Sequence, residues 1–147
     1  MKVLAASSGG GHWVELLRIV PALTEHTVHF VTVRADYRRD VGNAPFHTVR
    51  DATRWNPIGA LILAAQMLLV MIRVRPDVVV STGAAPGYFA IRFGKLLGAR
   101  TIWVDTLADV ENLSRAGQLA GKYTDLWLTQ WPHIARPNGP EYAGQVI

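Results

Sequence analysis

The sequence predicts an α/β domain, a Rossmann-like doubly wound parallel sheet, on three observations. The apolar runs Val3-Leu4-Ala5-Ala6 and Val78-Val79-Val80 show no polar alternation, which marks strands covered on both faces. Such runs alternate along the chain with longer segments of helical character. The first run passes directly into Ser7-Ser8-Gly9-Gly10-Gly11-His12 and then into an amphipathic stretch, the strand, turn and helix order of a βαβ unit. At 147 residues, 50% hydrophobic, the chain has material for one core, so residues 1–147 are read as a single domain.

The elements follow from apolar runs and breakers. Residues 2–6 form a strand, 11–24 a helix opening at the glycine turn, and 27–33 a second strand. A short helix over 36–41 and a strand over 46–49 come next. Residues 56–74 form a long helix with Pro57 in its first turn, where a missing N–H costs nothing. A Val-rich strand occupies 77–81, a helix 87–97 stops at Gly98, and a strand spans 100–104. A helix over 113–123 and a strand over 126–129 complete the series. Pro137-Asn138-Gly139-Pro140 reads as a loop, leaving the last residues as a short tail.

Ligands of open α/β sheets sit beyond the C-terminal ends of the strands, where residues 7–12, 81–87 and 105–112 fall. Glycines let the main chain approach a ligand closely, and a following helix offers unpaired N–H groups and the positive end of its dipole. The first loop is therefore an anion-site candidate. It is not a dinucleotide fingerprint, because Val14 stands at the third glycine position, nor a P-loop, because His12-Trp13 replaces the lysine and hydroxyl residue. Ser81-Thr82-Gly83-Ala84-Ala85-Pro86-Gly87 repeats the same logic after the Val-rich strand. Facing one another, Ser8, Gly9, Gly10 and Gly11 of the first loop and Gly83, Ala84, Ala85 and Gly87 of the second could hold both phosphates of a diphosphate.

A net charge of +4 and a pI near 9.9 suit an anionic partner, whether nucleic acid, a phospholipid surface or a diphosphate. Nucleic acid is set aside because the arginines are scattered and no binding motif occurs. The chain has no cysteine, which removes disulfides and thiolate chemistry and is compatible with a reducing compartment. Its N-terminus does not read as a signal peptide. Residues 58–72 are apolar all round and about 22 Å long, short of the roughly 30 Å hydrocarbon core. Two readings remain, a fully buried crossover helix or one with a side in the bilayer interface; the second is favoured, with Leu61 and Leu68 toward lipid and Trp55, Arg54 and Arg73 at headgroup depth.

The Ser-Gly-Gly-His turn, the Ser-x-Gly-Ala loop and the stretch Thr124-Asp125-Leu126-Trp127-Leu128-Thr129-Gln130-Trp131-Pro132, followed by Tyr142-Ala143-Gly144, resemble one family. It is the oligosaccharide-biosynthesis family of the membrane-recruiting subunit of the two-component dolichol-diphosphate-GlcNAc transferase, with its PssD-type bacterial exopolysaccharide relatives. The glycine loops look more distantly like those of MurG-type transferases. The resemblance implies the N-terminal, acceptor-side domain of a GT-B glycosyltransferase, peripheral on the cytoplasmic face of the membrane. Its partners would be a small nucleotide-sugar-binding subunit, probed through Gln130, Trp131, Pro132, Tyr142 and the tail 133–147, and a polyprenyl-diphosphate saccharide. Neither cofactor nor metal is expected. The chain departs from the family where Glu-Ser-x-x-Arg becomes Asp105-Thr106-Leu107-Ala108-Asp109, so that an acid stands for the expected arginine.

Inverting sugar transfer needs a base for the acceptor hydroxyl and stabilisation of the departing nucleoside diphosphate. His12 at the glycine turn and Asp105 at a strand end are the candidate bases, with Glu111 a third. Thr106, Glu111 and Arg115 are candidate acceptor contacts; with an acid at the arginine position, either the acceptor sits differently, Arg115 takes over, or activity is weakened. Two other readings stand beside this one: a non-catalytic membrane adaptor that recruits the catalytic subunit, and a nucleotide-binding oxidoreductase, against which the missing third glycine speaks.

Overall fold

The computed structural model describes residues 1–147. Seven strands, all parallel, form one sheet in the order β3-β2-β1-β4-β5-β6-β7. They are β1 (Lys2–Ser7), β2 (Thr27–Thr32), β3 (Phe46–Thr48), β4 (Val78–Gly83), β5 (Arg100–Val104), β6 (Leu126–Thr129) and β7 (Glu141–Tyr142). The helices are α1 (Gly11–Ile19), α2 (Pro57–Val74), α3 (Ala84–Leu96) and α4 (Arg115–Ala120). The expected doubly wound fold is present, with the order reversing between β1 and β4.

Alternate residues of the strands build two cores. Val3, Ala5, Phe30 and Val80 pack with Trp13 and Leu16 of α1 on one face. Trp13 also stacks on Tyr37 and donates its indole N–H to Asp40 at 2.9 Å. Leu4, Ala6, Val31 and Val79 pack with α2 and α3 on the other. Leu63, Met67 and Met71 of α2 are fully buried there, each contributing about 2 kcal/mol of apolar burial.

Several boundaries differ from the sequence reading. The short helix at 36–41 is a 3-10 turn, Ala35–Asp40, and the end of the helix expected over 113–123 is a 3-10 turn, Gly121–Tyr123. The third helix starts at Ala84 rather than 87, because Pro86 falls in its first turn, where no N–H is required. The C-terminal segment is not a loose tail: Glu141–Tyr142 adds a strand parallel to β6. Arg18 then donates to the Val146 carbonyl at 3.0 Å.

The long helix has two sides. Gly59, Leu63, Met67, Val70, Met71 and Val74 are buried, while Ile58, Leu61, Leu68, Leu69 and Ile72 are exposed. At 18 residues and a mean hydropathy of 2.0 it is long and apolar enough to cross a bilayer by length and composition, yet one side is committed to the sheet. Partial exposure was the sequence expectation. Trp55 stands 79% exposed ahead of its first turn, with the Arg54 guanidinium 4.4 Å above the indole, and Arg73 is exposed in the last turn.

Candidate functional site

The two glycine loops meet at the C-terminal edge of adjacent strands. β1 and β4 pair in regular register to Ala6↔Ser81, then skip to Ser7↔Gly83, so Thr82 is the extra residue of a bulge. That bulge turns Thr82 toward α1. Its carbonyl accepts a hydrogen bond from His12 Nδ1 at 3.0 Å, and its hydroxyl donates to the His12 carbonyl at 2.6 Å. Across the same junction Ser8 N–H donates to the Gly83 carbonyl at 3.3 Å. A carbonyl can only accept, so Nδ1 carries the proton and Nε2 presents its lone pair, without a protein partner.

Gly83 is glycine for two reasons. Its φ is +138°, and a Cβ there would lie 2.5 Å from His12 Nδ1, so the imidazole occupies the space of the missing side chain. Gly10, at φ +69°, is the N-cap of α1. A Cβ at Gly10 or Gly11 would meet nothing within 4 Å, so the main chain there borders open space. Gly9 instead packs against Arg34 and Tyr37, and the Tyr37 hydroxyl takes the Gly10 N–H at 3.0 Å.

The helix N-termini at these loops are the uncapped ones. Neither α1 nor α3 has a side-chain cap or an acidic residue in its first turn. Asn56 caps α2 through Gly59 N–H at 2.9 Å, and Ser114 caps α4 through Gly117 N–H at 2.9 Å. The free N–H groups at the starts of α1 and α3, at Gly11, Ala84 and Ala85, can receive an anion, while the Gly10 N–H is already held by Tyr37. Gly87 leaves this set: a Cβ on it would meet Ser81 Oγ at 1.9 Å and Trp103 at 3.3 Å, so it is glycine for helix–sheet packing. Ser8 lines the junction, but its N–H is already used.

Asp105 is a structural carboxylate, which corrects its reading as a base. It is 2% exposed and receives hydrogen bonds from Trp103 Nε1 at 2.9 Å, Ser114 N–H at 2.8 Å and the Ser114 hydroxyl. With both oxygens engaged it fixes the loop into α4. Thr106 is also buried; its hydroxyl donates to Glu15 and accepts from Ala108 N–H at 3.2 Å, so it is not an exposed acceptor contact. Glu111 and Arg115 are both exposed. Glu111 lines a separate hollow with His133 and Arg136, away from the glycine loops. Asp109 does lie within electrostatic reach of His12. Burial pushes its carboxyl above the ordinary range, the Asp105 carboxylate adds to the rise, and His12 opposes it.

Sequence reasoning missed Glu15. It is 6% exposed, and its Oε1 receives Leu107 N–H at 2.7 Å, Gln130 Nε2 at 3.2 Å and the Thr106 hydroxyl at 3.4 Å. Oε2 is buried without a partner. Its position one turn after His12 on the same helical face was the available signal. Gln130 is likewise a correction: at 1% exposure it is no interface residue. It donates to the Asp105 carbonyl at 2.9 Å and accepts from Val146 N–H at 2.8 Å, tying β5, α1 and the C-terminal segment together. Trp131 is half-buried, its indole donating to the Leu107 carbonyl at 2.9 Å, whereas Pro132 and Tyr142 are exposed.

No family model matches the chain. It is 26% identical over 141 residues to the UDP-N-acetylglucosamine transferase subunit ALG14 of Yarrowia lipolytica, covering 91% of this chain and 62% of that one. To the subunit of the same name from Eremothecium gossypii it is 27% identical, covering 91% and 74%. The chain thus spans about three-fifths of the length of the first relative. Among solved structures, Acinetobacter baumannii MurG superposes with a TM-score of 0.80 at 14% identity, over 97% of this chain and 45% of that chain. The UDP-GlcNAc 2-epimerase of Neisseria meningitidis, bound to UDP-GlcNAc, gives 0.69 at 11% identity, over 88% and 40%. The chain therefore has the α/β fold of one domain of the GT-B enzymes.

Proposed function

We propose that this chain is the acceptor-side, membrane-bound subunit of a two-component inverting glycosyltransferase. A partner polypeptide holds a UDP-sugar, GlcNAc or a related hexose, and the acceptor is a polyprenyl-diphosphate saccharide at the cytoplasmic membrane surface. The observation that carries the reading is the junction of two uncapped helix N-termini around a histidine whose Nδ1 is pinned and whose Nε2 is free. The similarity to the two UDP-N-acetylglucosamine transferase subunits supports the reaction class. The outer side of α2, with Trp55, Leu61, Leu68 and Arg73, supports contact with lipid.

In this mechanism the acceptor diphosphate rests on the main-chain donors at Gly11, Ala84 and Ala85. His12 Nε2 takes the proton of the acceptor hydroxyl as its oxygen attacks the anomeric carbon. The bond to UDP breaks, the electron pair leaves with the diphosphate on the partner's side, and the configuration inverts. Asp109 stabilises the imidazolium so formed. Thr82 keeps the ring oriented throughout.

Reconstitution with the partner tests this. His12→Ala is expected to lower kcat about 10²- to 10⁴-fold while the complex still assembles. Unchanged turnover removes His12 from the chemistry. The adaptor reading has its own support, since Asp109 sets a negative charge near the loops where the acceptor phosphates would lie. It is upheld if both His12→Ala and Asp109→Asn leave transfer intact while a chain unable to bind lipid abolishes it.

A further inference from the structure

A cavity of about 770 Å³ lies at the opposite edge of the sheet from His12, between the C-terminal ends of α2 and α3. Its size falls within the range of small-molecule sites. Met71 at its base is fully buried, and Ile72 and Leu97 on its walls are 50% and 55% exposed. Two arginines, Arg75 and Arg100, are among the residues lining the same space. Neither joins the ion pairs of the molecule, which are Arg34–Asp36, Arg39–Asp40 and Lys95–Asp125. The carboxylate in the lining, Asp77, is already engaged by the Lys2 N–H at 2.7 Å.

Arg75 also stands where glycine is usual. It ends α2 in the left-handed region, at φ 49° and ψ 62°, a conformation that strains any residue with a Cβ. Attraction to the helix dipole does not explain an arginine there, since Arg73 already supplies a cation to the last turn. A strained residue whose charged group finds no partner within the protein points to a ligand outside it. Ile72 belongs both to the cavity and to the exposed apolar side of α2, so the two surfaces are continuous.

We propose that this cavity binds one anionic phospholipid drawn from the bilayer, its acyl chains against Met71, Ile72 and Leu97 and its phosphate between Arg75 and Arg100. Free phosphate would leave the apolar walls unused. A neutral lipid would leave the two guanidiniums unanswered. The inference rests on the membrane-surface reading only for the source of the lipid.

Titration of the purified chain with dioctanoyl-phosphatidylglycerol, below its micelle concentration, tests the proposal by calorimetry. Saturable binding of one lipid per chain is expected, insensitive to millimolar inorganic phosphate. Arg75→Gln with Arg100→Gln should weaken it about twenty-five-fold, at roughly fivefold per guanidinium. Arg75→Gly guards against misfolding, because it relieves the left-handed strain. It should bind lipid more weakly with thermal stability kept or raised. Leu61→Ser with Leu68→Ser, on the outer side of α2, should reduce flotation with vesicles and leave uptake of the short-chain lipid unchanged. Equal affinity for dioctanoyl-phosphatidylcholine, or an unaltered Arg75→Gln/Arg100→Gln chain, overturns the proposal. A wild-type chain that binds the short-chain lipid but does not float upholds the cavity and counts against α2 as the membrane face.

Discussion

Glu15 shows how much of the site hangs on one buried carboxylate. A single oxygen gathers Leu107 N–H, Gln130 Nε2 and the Thr106 hydroxyl, so α1, the β5–α4 loop and the end of β6 meet at one point. Removing it strands buried donors, and charged hydrogen bonds of this kind contribute about 1.5–3 kcal/mol each before compensation. Glu15→Ala is expected to cost about 3 kcal/mol by urea unfolding, and Glu15→Gln, which keeps an acceptor oxygen, clearly less. Equal losses for both would mean that the charge, not the acceptor, matters. The sequence announced the glycines beside this residue, and Gly10 and Gly83 do adopt positive φ. It could not tell Gly83, whose missing Cβ makes room for His12, from Gly87, whose missing Cβ makes room for Ser81 and Trp103. Glycine spacing carries no information about which way the α-carbon faces.

Among elements, the β2–β3 pair holds a second buried polar feature. His29 and His47 stack on neighbouring strands, ring centroids 6.0 Å apart and planes 8° from parallel. Nδ1 of His29 and Nε2 of His47 are buried without partners. Burial holds both imidazoles below the ordinary histidine value. Lys2 adds to this for His29, and His29 and Arg73 add to it for His47. The unfolded chain therefore binds these protons more readily than the folded one. Stability is full above about pH 6.5 and falls as pH drops through that value toward the lowered folded one. The urea midpoint should decline between pH 7 and pH 5, and His29→Phe with His47→Phe should flatten that decline. A decline of the same size in the double variant assigns it to other groups. Asp36 and Asp125, held below their ordinary 3.8, act only at lower pH.

Element types were readable where a run was long and uniform, as in α2 and β4, because burial on one or both faces leaves a clear period. β7 was not readable, since two residues behind a Pro-Asn-Gly-Pro loop carry no period at all. It forms because tertiary ties hold it: Tyr142 pairs with Thr129, and Val146 is fixed by Gln130 and Arg18.

At the scale of the whole molecule, the two faces of the sheet are covered unequally. α2, α3 and α4 follow one another over one face, while α1 packs on the other beside β1 and β4. Beside β5 and β6, residues 143–146 border a hollow of about 330 Å³ that is also lined by Ile19, Leu23, Ile102 and Leu128. Tyr142 and Ile147, 44% and 83% exposed, stand close by. If the proposed partner docks here, Tyr142→Ala together with loss of residues 143–147 should weaken the complex at least tenfold by pull-down titration, with His12 chemistry unaffected in whatever complex remains. An unchanged dissociation constant moves the interface to another face.

The outermost strands of the sheet, β3 and β7, are three and two residues long. So brief a border exposes too few unpaired amide and carbonyl groups for two copies to zip edge to edge. If the proposed partner exists, a chain waiting for it is thereby protected from self-aggregation. The same economy dictates the language of recognition: another protein has to read side chains on a face, because there is almost no ladder left to extend.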